Sequence, residues 1–328
     1  MIYFKCVEEQ SERIPSIINT IDRWIHSPAL KKILESFGTD IPDGLNITET
    51  VQWLLNFSDE WDYRKKQQNA KDQATKEAAR WLLNDHAVTE SQSRAVWEGI
   101  ADLGLQGADT PARSDYDYII ALGGARLSCL LRPRYAKRVM EQYALHPKAV
   151  VMLSGTRPIA DSERIVTDTY AKGVNTEYDL ICKGAEQSFG VSEFREQRHD
   201  DSNQNLSWAI RTYANECPVI SIAGPSTEPD IRRANSADTY QFFFEKFKIS
   251  AGEKLLLVTS QIYVPYQQIE AIRTLSLPYG VLTETIGFPN EWSGNLQGMQ
   301  QPVNYLQEIR STIQAISRFL LSISQVKG

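Results

Sequence analysis

Residues 117–126, with the sequence DYIIALGGAR, constrain the fold of this chain most. A five-residue apolar run between a charged residue and two glycines is typical of a strand buried on both faces of a parallel sheet. Gly123 and Gly124 allow a sharp turn and leave backbone amides bare of side chains. If a helix follows, its first amides and Arg126 provide a place for an anion. A tight turn without a ligand is the simpler interpretation, so this segment alone predicts a strand and a turn.

The residues from 115 onward alternate between short β-rich runs and helix-length polar stretches. This alternation indicates an α/β protein with a doubly wound, mainly parallel Rossmann-like sheet. We predict strands at residues 118–122, 149–153, 178–182, 219–223 and 255–258, and an edge strand at 281–285. We predict helices at residues 134–143, 208–214, 234–247, 267–275 and 305–323.

The first 110 residues instead carry a helical periodicity. Isoleucine recurs at positions 14, 17, 18, 21 and 25, and a further apolar stripe covers residues 74–82. Spacings of three and four residues place such side chains on one face of a helix. We therefore predict a helical N-terminal subdomain at residues 1–110 and a Rossmann-like α/β domain with a C-terminal helix at residues 115–328. The helical part is also a candidate docking module for a protein partner, whose identity the sequence leaves open.

The composition argues against several classes of protein. The net charge is −6 and no long basic run is present, so we expect no nucleic-acid binding. No apolar run reaches the roughly 18 residues of a membrane span, which predicts a cytoplasmic protein without a span. The four cysteines stand far apart without a CxxC pair, which predicts buried free thiols and no metal site.

Four of the predicted strands end in loops rich in small and hydroxyl-bearing residues. In an open parallel sheet the carboxyl ends of the strands share one edge, and ligands bind in the crevice there. Four such loops together favour a binding edge over a purely structural role. The loops are Gly123-Gly124, Ser154-Gly155-Thr156-Arg157, Gly224-Pro225-Ser226-Thr227 and Thr259-Ser260-Gln261.

The familiar catalytic and nucleotide-binding motifs are missing from the sequence. There is no GxxxxGK[ST], GxGxxG, GxSxG or HExxH pattern, which argues against a P-loop, the usual dinucleotide fingerprint, a serine elbow and a zinc protease. The four histidines, at positions 26, 86, 146 and 199, are predicted to lie away from the strand ends. A histidine base is therefore not expected.

The order of four short motifs resembles the YdcF/SanA/ElyC-like family of unknown function. The motifs are YIIALGG at 118–124, VMLSG at 151–155, RANSADT at 233–239 and LVTSQIYVP at 257–265, within residues 115–290. That family has strands ending in Gly-Gly and in Ser-Gly-Gly, a helix start of the Asn-Thr-x-Glu-Asn type, and a Val-Thr-Ser strand followed by histidine and arginine.

The resemblance implies a Rossmann-like sheet whose strand ends line a pocket for a nucleotide-like ligand. It implies S-adenosylmethionine as a candidate cofactor and a link to envelope polysaccharide physiology. Carried over by position, the pocket candidates are Gly123, Gly124, Ser154, Gly155, Asn235, Asp238, Thr259 and Ser260.

Several positions depart from the pattern of that family. Tyr263 and Tyr266 stand where the family has its histidine and arginine, Thr156 replaces the second glycine of Ser-Gly-Gly, and Asp238 replaces an asparagine. Phenols, with an ordinary pKa of about 10, do not replace an imidazole and a guanidinium. Either other residues supply the charge, or the ligand differs.

Other charged and polar residues near the strand ends are candidates for binding an anionic ligand. A planar guanidinium holds phosphate or carboxylate through two hydrogen bonds, although arginines on a loop are commonly only solvated. For chemistry, Asp238 is the candidate base and Tyr263 the candidate proton donor or stacking surface. The further ligand-binding candidates are Arg126, Arg157, Arg232, Arg233, Thr156 and Gln261.

These observations predict an enzyme, a transferase or a hydrolase, that acts on or with a nucleotide-like or phosphate-bearing small molecule. The ligand would lie at the carboxyl ends of the parallel strands. The alternative is a noncatalytic ligand-sensing or scaffold protein, which the replacement of the family's histidine and arginine favours. Turnover distinguishes the two, because a sensor binds its ligand without consuming it.

Overall fold

The structure is a computed structural model that describes residues 1–63, 65, 88–124, 126–296 and 300–326. The apolar stripe predicted at residues 74–82 lies outside them. Contacts divide the chain into two units. Unit 1 consists of Met1–Ala108, Gln261–Arg273 and Gly298–Gly328, and unit 2 of Asp109–Ser260 and Thr274–Gln297. The C-terminal helix is therefore grouped with the N-terminal helices, whereas the sequence assigned it to the α/β part; the predicted domain division stays a prediction.

The helices and strands of the described residues follow one another along the chain. The helices are α1 (Gln10–Ile25), α2 (Pro28–Ser36), α3 (Ile47–Phe57), α4 (Glu90–Gly99), α5 (Ser128–Gln142), α6 (Asp161–Tyr170), α7 (Glu177–Phe189), α8 (Ser236–Phe247), α9 (Val264–Ala271), α10 (Leu277–Tyr279) and α11 (Pro302–Val326). The strands are β1 (Tyr118–Leu122), β2 (Ala149–Ser154), β3 (Phe194–His199), β4 (Trp208–Tyr213), β5 (Val219–Ala223), β6 (Lys254–Ser260) and β7 (Leu282–Phe288).

Unit 1 is helical in its described residues. The long helix α11 packs against α3, α4 and α9, and Trp24 and Trp61 are fully buried, as expected of large apolar side chains in a core. Asn46 starts α3 with a capping box, because its side chain accepts from the Glu49 amide while the Glu49 carboxylate accepts from the Asn46 amide. The periodicity of the N-terminal sequence thus reflects helices that bury one face.

Unit 2 contains a seven-stranded sheet in the order β3-β4-β5-β2-β1-β6-β7. The strands β5, β2, β1, β6 and β7 are parallel. Counted alone, these five run in the order 3-2-1-4-5, which is the strand order of doubly wound dinucleotide-binding folds. The hairpin of β3 and β4 extends the sheet antiparallel beyond β5. The predicted α/β class with a mainly parallel Rossmann-like sheet is confirmed.

Helices cover both faces of this sheet. Side chains alternate between the two faces along a strand, and β1 shows the alternation directly. The ring of Tyr118 lies 5.6 Å from that of Phe243 in α8, whereas Ile119 belongs to the core cluster that contains Tyr135 of α5. The helices α5 and α7 therefore pack on one face, here called the α5 face, and α8 packs on the other.

Two predicted elements were wrong in type. Residues 178–182, predicted as a strand, lie in α7, which begins with a capping box between Thr176 and Asp179. Residues 208–214, predicted as a helix, form β4, whose backbone pairs with both β3 and β5. The apolar content of each segment fits either structure, so capping and strand pairing decided between them.

The exposed edge strand β3 was missed by the sequence prediction. All six of its residues are exposed, so it lacks the apolar alternation by which strands are recognised. His199 is the last residue of β3, which corrects the expectation that every histidine lies away from a strand end. The other predicted strands are confirmed, including the edge strand now seen as β7.

Candidate functional site

The order of strands changes direction between β1 and β6. From β1 the parallel strands continue through β2 to β5, whereas β6 and β7 lie on the other side of β1. Ligands of open α/β sheets bind outside the carboxyl ends of the strands at this switch point. We call the carboxyl ends of β1 and β6 the β1–β6 half of the edge. The loops that follow β2 and β5 form the β2–β5 half.

The turn after β1 has no room for a side chain at its first residue. The amide of Gly123 donates to the carbonyl of Leu153 at 2.5 Å. A Cβ atom on Gly123 would lie 2.7 Å from that carbonyl oxygen and 3.0 Å from Cα of Ser154. The chain then enters α5, whose N-terminus is not capped by a side chain. The first amides of a helix lack intrahelical partners and favour an anion.

A buried arginine that the sequence prediction missed lies behind this turn. The guanidinium of Arg132 donates to the carbonyls of Leu122, at 3.0 Å, and of Gly123, and its side chain is buried. Arg132 is in the second turn of α5, and its apolar neighbours gave no sign that it reaches back to the end of β1. It brings a positive charge to the switch point, where the prediction had placed Arg126.

The last two residues of β6 carry buried hydroxyl groups without partners. Thr259 is 0% and Ser260 1% exposed. Neither Thr259 Oγ1 nor Ser260 Oγ has a hydrogen-bond partner among the residues that the structure describes. A buried hydroxyl without a partner costs roughly 1–3 kcal/mol. Successive side chains of a strand point to opposite faces, so these two hydroxyls lie on the two sides of the sheet at the switch point, each where a ligand can supply the missing hydrogen bond.

Ser260 and Ser154 are directed to the α5 face of the sheet. Leu256 and Val258 of β6 belong to the core cluster on that face, and the alternation along the strand puts Ser260 on the same side. Ser154 follows Met152 of that cluster in the same way. The hydroxyl of Ser154 has only a long contact, 3.4 Å, with the carbonyl of its neighbour in sequence. Two serines on the face of α5 thus border the glycine turn.

In the β2–β5 half, in contrast, the charged side chains form ion pairs within the chain, and only Nε of Arg157 is left without a hydrogen-bond partner among the buried atoms of these pairs in the described residues. Arg157 donates to both carboxylate oxygens of Glu163, at 2.6 and 2.9 Å, and to Glu177 at 2.7 Å. Burial by itself raises the pKa of the Glu163 carboxyl, but the hydrogen bonds from Arg157 and the backbone lower it below its ordinary value. The guanidinium of Arg157 is thus shared by two carboxylates, and the ligand-binding role predicted for this residue stays a prediction.

The second ion pair of the β2–β5 half joins Arg232 to Asp238. The guanidinium of Arg232 lies 2.5 and 3.2 Å from the two carboxylate oxygens. Asp238 also accepts from the hydroxyl of Thr227 at 2.6 Å and from the amide of Asn235 at 2.8 Å. Burial alone would raise the pKa of Asp238, and the bonds from Arg232 and Thr227 lower it. A carboxylate with so many donors is a weak base.

Asn235 has a defined structural role at the start of α8. Its side chain accepts from the amide of Asp238 at 3.2 Å, which completes a capping box. The alternative that Asn235 is a helix cap, raised by its position at a helix start, therefore has a geometric basis. The roles predicted for Asn235 and Asp238 in ligand binding and catalysis stay predictions.

The remaining candidates lie in different environments. Arg126 is in a left-handed conformation, with φ of 54°, and its amide hydrogen-bonds Glu163, while burial lowers the pKa of its guanidinium. Arg233 is exposed on the loop before α8. Gly155 and Thr156 are half-buried between β2 and α6. Gln261 and Tyr263 form a 3₁₀ turn that belongs to unit 1, and their predicted roles stay predictions.

Two further observations concern the described residues as a set. No helix among them is both long and apolar enough to cross a bilayer, and no group of three or more histidine, cysteine or acidic side chains among them is arranged to hold a metal ion. None of the four cysteines, all of which lie in the described ranges, forms a disulfide; Cys217 is half-buried and the other three are buried. Burial raises the pKa of the Cys129 thiol to about 12, so this thiol is protonated at neutral pH.

The fold and the strand-end geometry define an α/β protein with a Rossmann-like sheet and buried hydroxyl-bearing residues at its topological switch point. Comparison with known proteins identifies the family to which it belongs. Residues 8–104 match a family model described as the Rv3785 N-terminal domain. Over 325 residues the chain is 30% identical to Uncharacterized protein Rv3785 of Mycobacterium tuberculosis and to Uncharacterized protein Mb3814 of Mycobacterium bovis, covering 94% of this chain and 90% of each relative. The chain belongs to this family of Rv3785-like proteins. No solved structure matches it.

Proposed function

We propose that this protein binds a phosphate-bearing or nucleotide-like small molecule at the carboxyl ends of β1 and β6 and acts on it as a transferase or hydrolase. The proposal is carried by the buried hydroxyls of Thr259 and Ser260 at the switch point, which have no hydrogen-bond partner within the described part of the chain. A structural role does not account for them, because a valine and an alanine would fill the same space without the cost of desolvation.

An anionic group is the best match to the surroundings of the Ser260 hydroxyl on the α5 face, while Thr259, the residue before it, is directed to the face of α8. Arg132 contributes a buried positive charge, and the N-terminus of the 15-residue helix α5 contributes amides and the positive end of its dipole. Ser154 and Ser260 add hydroxyl donors on the same face. Oxygen atoms of a phosphate accept from all of these groups at once.

The resemblance of residues 115–290 to the YdcF/SanA/ElyC-like family supports the same kind of ligand. It makes S-adenosylmethionine a candidate alongside phosphates, since both would use the crevice at the switch point. The match to the Rv3785 N-terminal domain covers residues 8–104, so it bears on a different part of the chain. The link to envelope polysaccharide physiology rests on the resemblance alone.

The alternative function is ligand sensing without turnover. The hydrogen bonds that lower the pKa of Asp238 favour this alternative, because they leave the candidate base of the β2–β5 half weakly basic. Incubating the protein with each bound ligand and measuring product by mass spectrometry decides between the two. Consumption of the ligand supports the enzyme, and saturable binding with quantitative recovery of the ligand supports the sensor.

Replacing Thr259 by valine tests the site itself. Without ligand we expect the free energy of unfolding to rise by about 1–2 kcal/mol, because an unpartnered buried hydroxyl is removed. Affinity should fall about 5- to 30-fold, the equivalent of one lost hydrogen bond. Urea unfolding and calorimetry with inorganic phosphate, AMP, ATP and S-adenosylmethionine measure the two effects, and Ser260→Ala should behave in the same way.

Thr167→Val is the matched control for this experiment. Thr167 is also buried, but its hydroxyl donates to the carbonyl of Glu163 at 3.0 Å. Its replacement should therefore lower stability by about 0.5–1.5 kcal/mol and leave affinity unchanged. If Thr259→Val destabilises the ligand-free protein as Thr167→Val does, the hydroxyl is structural and the proposed site is wrong.

A further inference from the structure

The loop between β3 and β4, residues 200–207, lies at the carboxyl edge of the parallel strands. Because β4 is antiparallel to both β3 and β5, β3 runs parallel to β5, and its last residue reaches the edge where β5 also ends. This hairpin interrupts the alternation of parallel strands and helices between β2 and β5. Its loop therefore lies beside the end of β5, the third parallel strand along the chain, as an insertion at the carboxyl edge of the sheet.

Hydrogen bonds fix this loop to both loops of the β2–β5 half. The side-chain amide of Gln204 donates to the carbonyl of Thr156 after β2, at 3.2 Å. The carbonyl of Asn205 accepts from the amide of Ser226 after β5, at 2.7 Å. The side chain of Asn205 donates to the carbonyl of Pro229, also at 2.7 Å. The loop therefore spans the ends of two adjacent parallel strands.

The two arginines of the strand-end loops that this loop contacts form ion pairs within the chain. Arg157 is shared by Glu163 and Glu177, and Arg232 by Glu228 and Asp238. A ligand that extended into the β2–β5 half would have to break these ion pairs and the bonds of the loop. The β1–β6 half, by contrast, presents the unpartnered hydroxyls of β6.

A dinucleotide in a doubly wound fold lies across the switch point and uses strand ends on both of its sides. In this chain one of those sides is occupied by the hairpin loop. We infer that residues 200–207 form a specificity wall, which restricts the ligand to a compact anion carrying a single phosphate-bearing moiety, of mononucleotide size or smaller. This inference rests on the proposed function and identifies the ligand class of that site.

The test compares AMP with NAD⁺ as probes by calorimetry on the full-length protein. We expect AMP to bind at least about tenfold more tightly than NAD⁺. The double variant Gln204→Ala/Asn205→Ala removes the hydrogen bonds that these two side chains make to Thr156 and Pro229. It should strengthen NAD⁺ binding, so that the ratio of AMP to NAD⁺ affinity falls at least about threefold. The exposed Gln197 of β3 supplies the control, since Gln197→Ala leaves the loop contacts in place.

Each outcome decides the inference. If NAD⁺ binds as tightly as AMP to the wild-type protein, and Ser260→Ala weakens both, the proposed site stands and the wall is wrong. Circular dichroism shows whether the double variant is folded. If it is folded and its ratio of AMP to NAD⁺ affinity equals that of the wild type, the loop does not set the preference for AMP and the inference is overturned. If neither AMP nor NAD⁺ binds, the inference is overturned. The proposed function fails with it if inorganic phosphate, ATP and S-adenosylmethionine do not bind either, or if Thr259→Val and Ser260→Ala do not affect binding. The ratio of AMP to NAD⁺ affinity in the wild-type protein tests the inference even if a variant fails to fold.

Discussion

Replacing Arg157 by methionine is expected to lower the free energy of unfolding by about 3–5 kcal/mol, the usual effect of removing one partner from a buried ion pair. Arg157 is the common partner of Glu163, which is 1% exposed, and of Glu177. Without the guanidinium, the Glu163 carboxylate keeps its backbone donors but loses the charge that offsets its burial. Urea unfolding at neutral pH measures this effect directly.

The destabilisation should depend on pH. In the wild type the folded pKa of Glu163 lies below its ordinary value of 4.5, so its stabilising contribution is complete above that pH and is lost as the pH falls further. In Arg157→Met, burial without the cation raises the same pKa, and protonation relieves the variant. The difference in stability between the two proteins should therefore shrink from about pH 8 to about pH 4.

Two further variants test this account of Arg157. Arg157→Met/Glu163→Gln should recover more than about 1 kcal/mol relative to the single variant, because the almost fully buried charge of Glu163 is removed and only the more exposed Glu177 has lost its partner. Arg233→Ala, at an exposed arginine near the same edge, should change stability by less than about 0.5 kcal/mol. A destabilisation that is independent of pH and not relieved in the double variant would mean that Arg157 acts through packing alone.

Replacing Gly123 by alanine should destabilise the protein by about 1–3 kcal/mol, as overpacking does in a rigid site. The added Cβ would lie 2.7 Å from the Leu153 carbonyl oxygen and 3.0 Å from Cα of Ser154. Both are backbone atoms of a central strand, so neither can rotate away. The strands β1 and β2 would have to separate where the crevice begins, and ligand affinity should fall as well.

Gly155 gives the matched control for Gly123. It lies in the loop after β2, and the nearest atom to an added Cβ is a carboxylate oxygen of Glu177 at 3.9 Å. Gly155→Ala should therefore leave the free energy of unfolding unchanged or raise it by up to about 1 kcal/mol, since alanine restricts the unfolded chain. Thermal and urea unfolding of both variants checks the contrast. Equal effects on stability would contradict the close approach of β1 and β2 as the reason for Gly123.

Much of the sheet was predictable because its signals are local. The apolar runs of β1, β2, β5 and β6 lie between polar or glycine residues in the sequence itself, and a strand buried on both faces needs such a run. The amphipathic N-terminal helices were predictable for the same reason. The fully exposed β3 and the misassigned β4 show the limit of prediction from local patterns. These two segments are strands because they pair with distant residues, not because of their own periodicity.

The candidate site was predictable only as an edge of the sheet. Residues at strand ends converge in any open parallel sheet, so the loops that contain Gly123, Ser154 and Ser260 could be grouped from sequence. Which polar groups there have partners could not be predicted, because the partners lie far away along the chain. From the sequence, the guanidinium of Arg157 is a candidate for binding a ligand, whereas the structure places the carboxylates of Glu163 and Glu177 beside it.

The sequence by itself determined the α/β class, the parallel strands around β1 and the glycine turn, because periodicity and turn chemistry depend on neighbouring residues. Only the tertiary structure decided that Arg132 reaches the end of β1 and that Arg157 and Arg232 are engaged by carboxylates. It also decided that the hydroxyls of Thr259 and Ser260 have no partner among the residues described. The reason is physical: burial and hydrogen bonding of a side chain depend on groups brought together by strand order and helix packing, which no local pattern encodes.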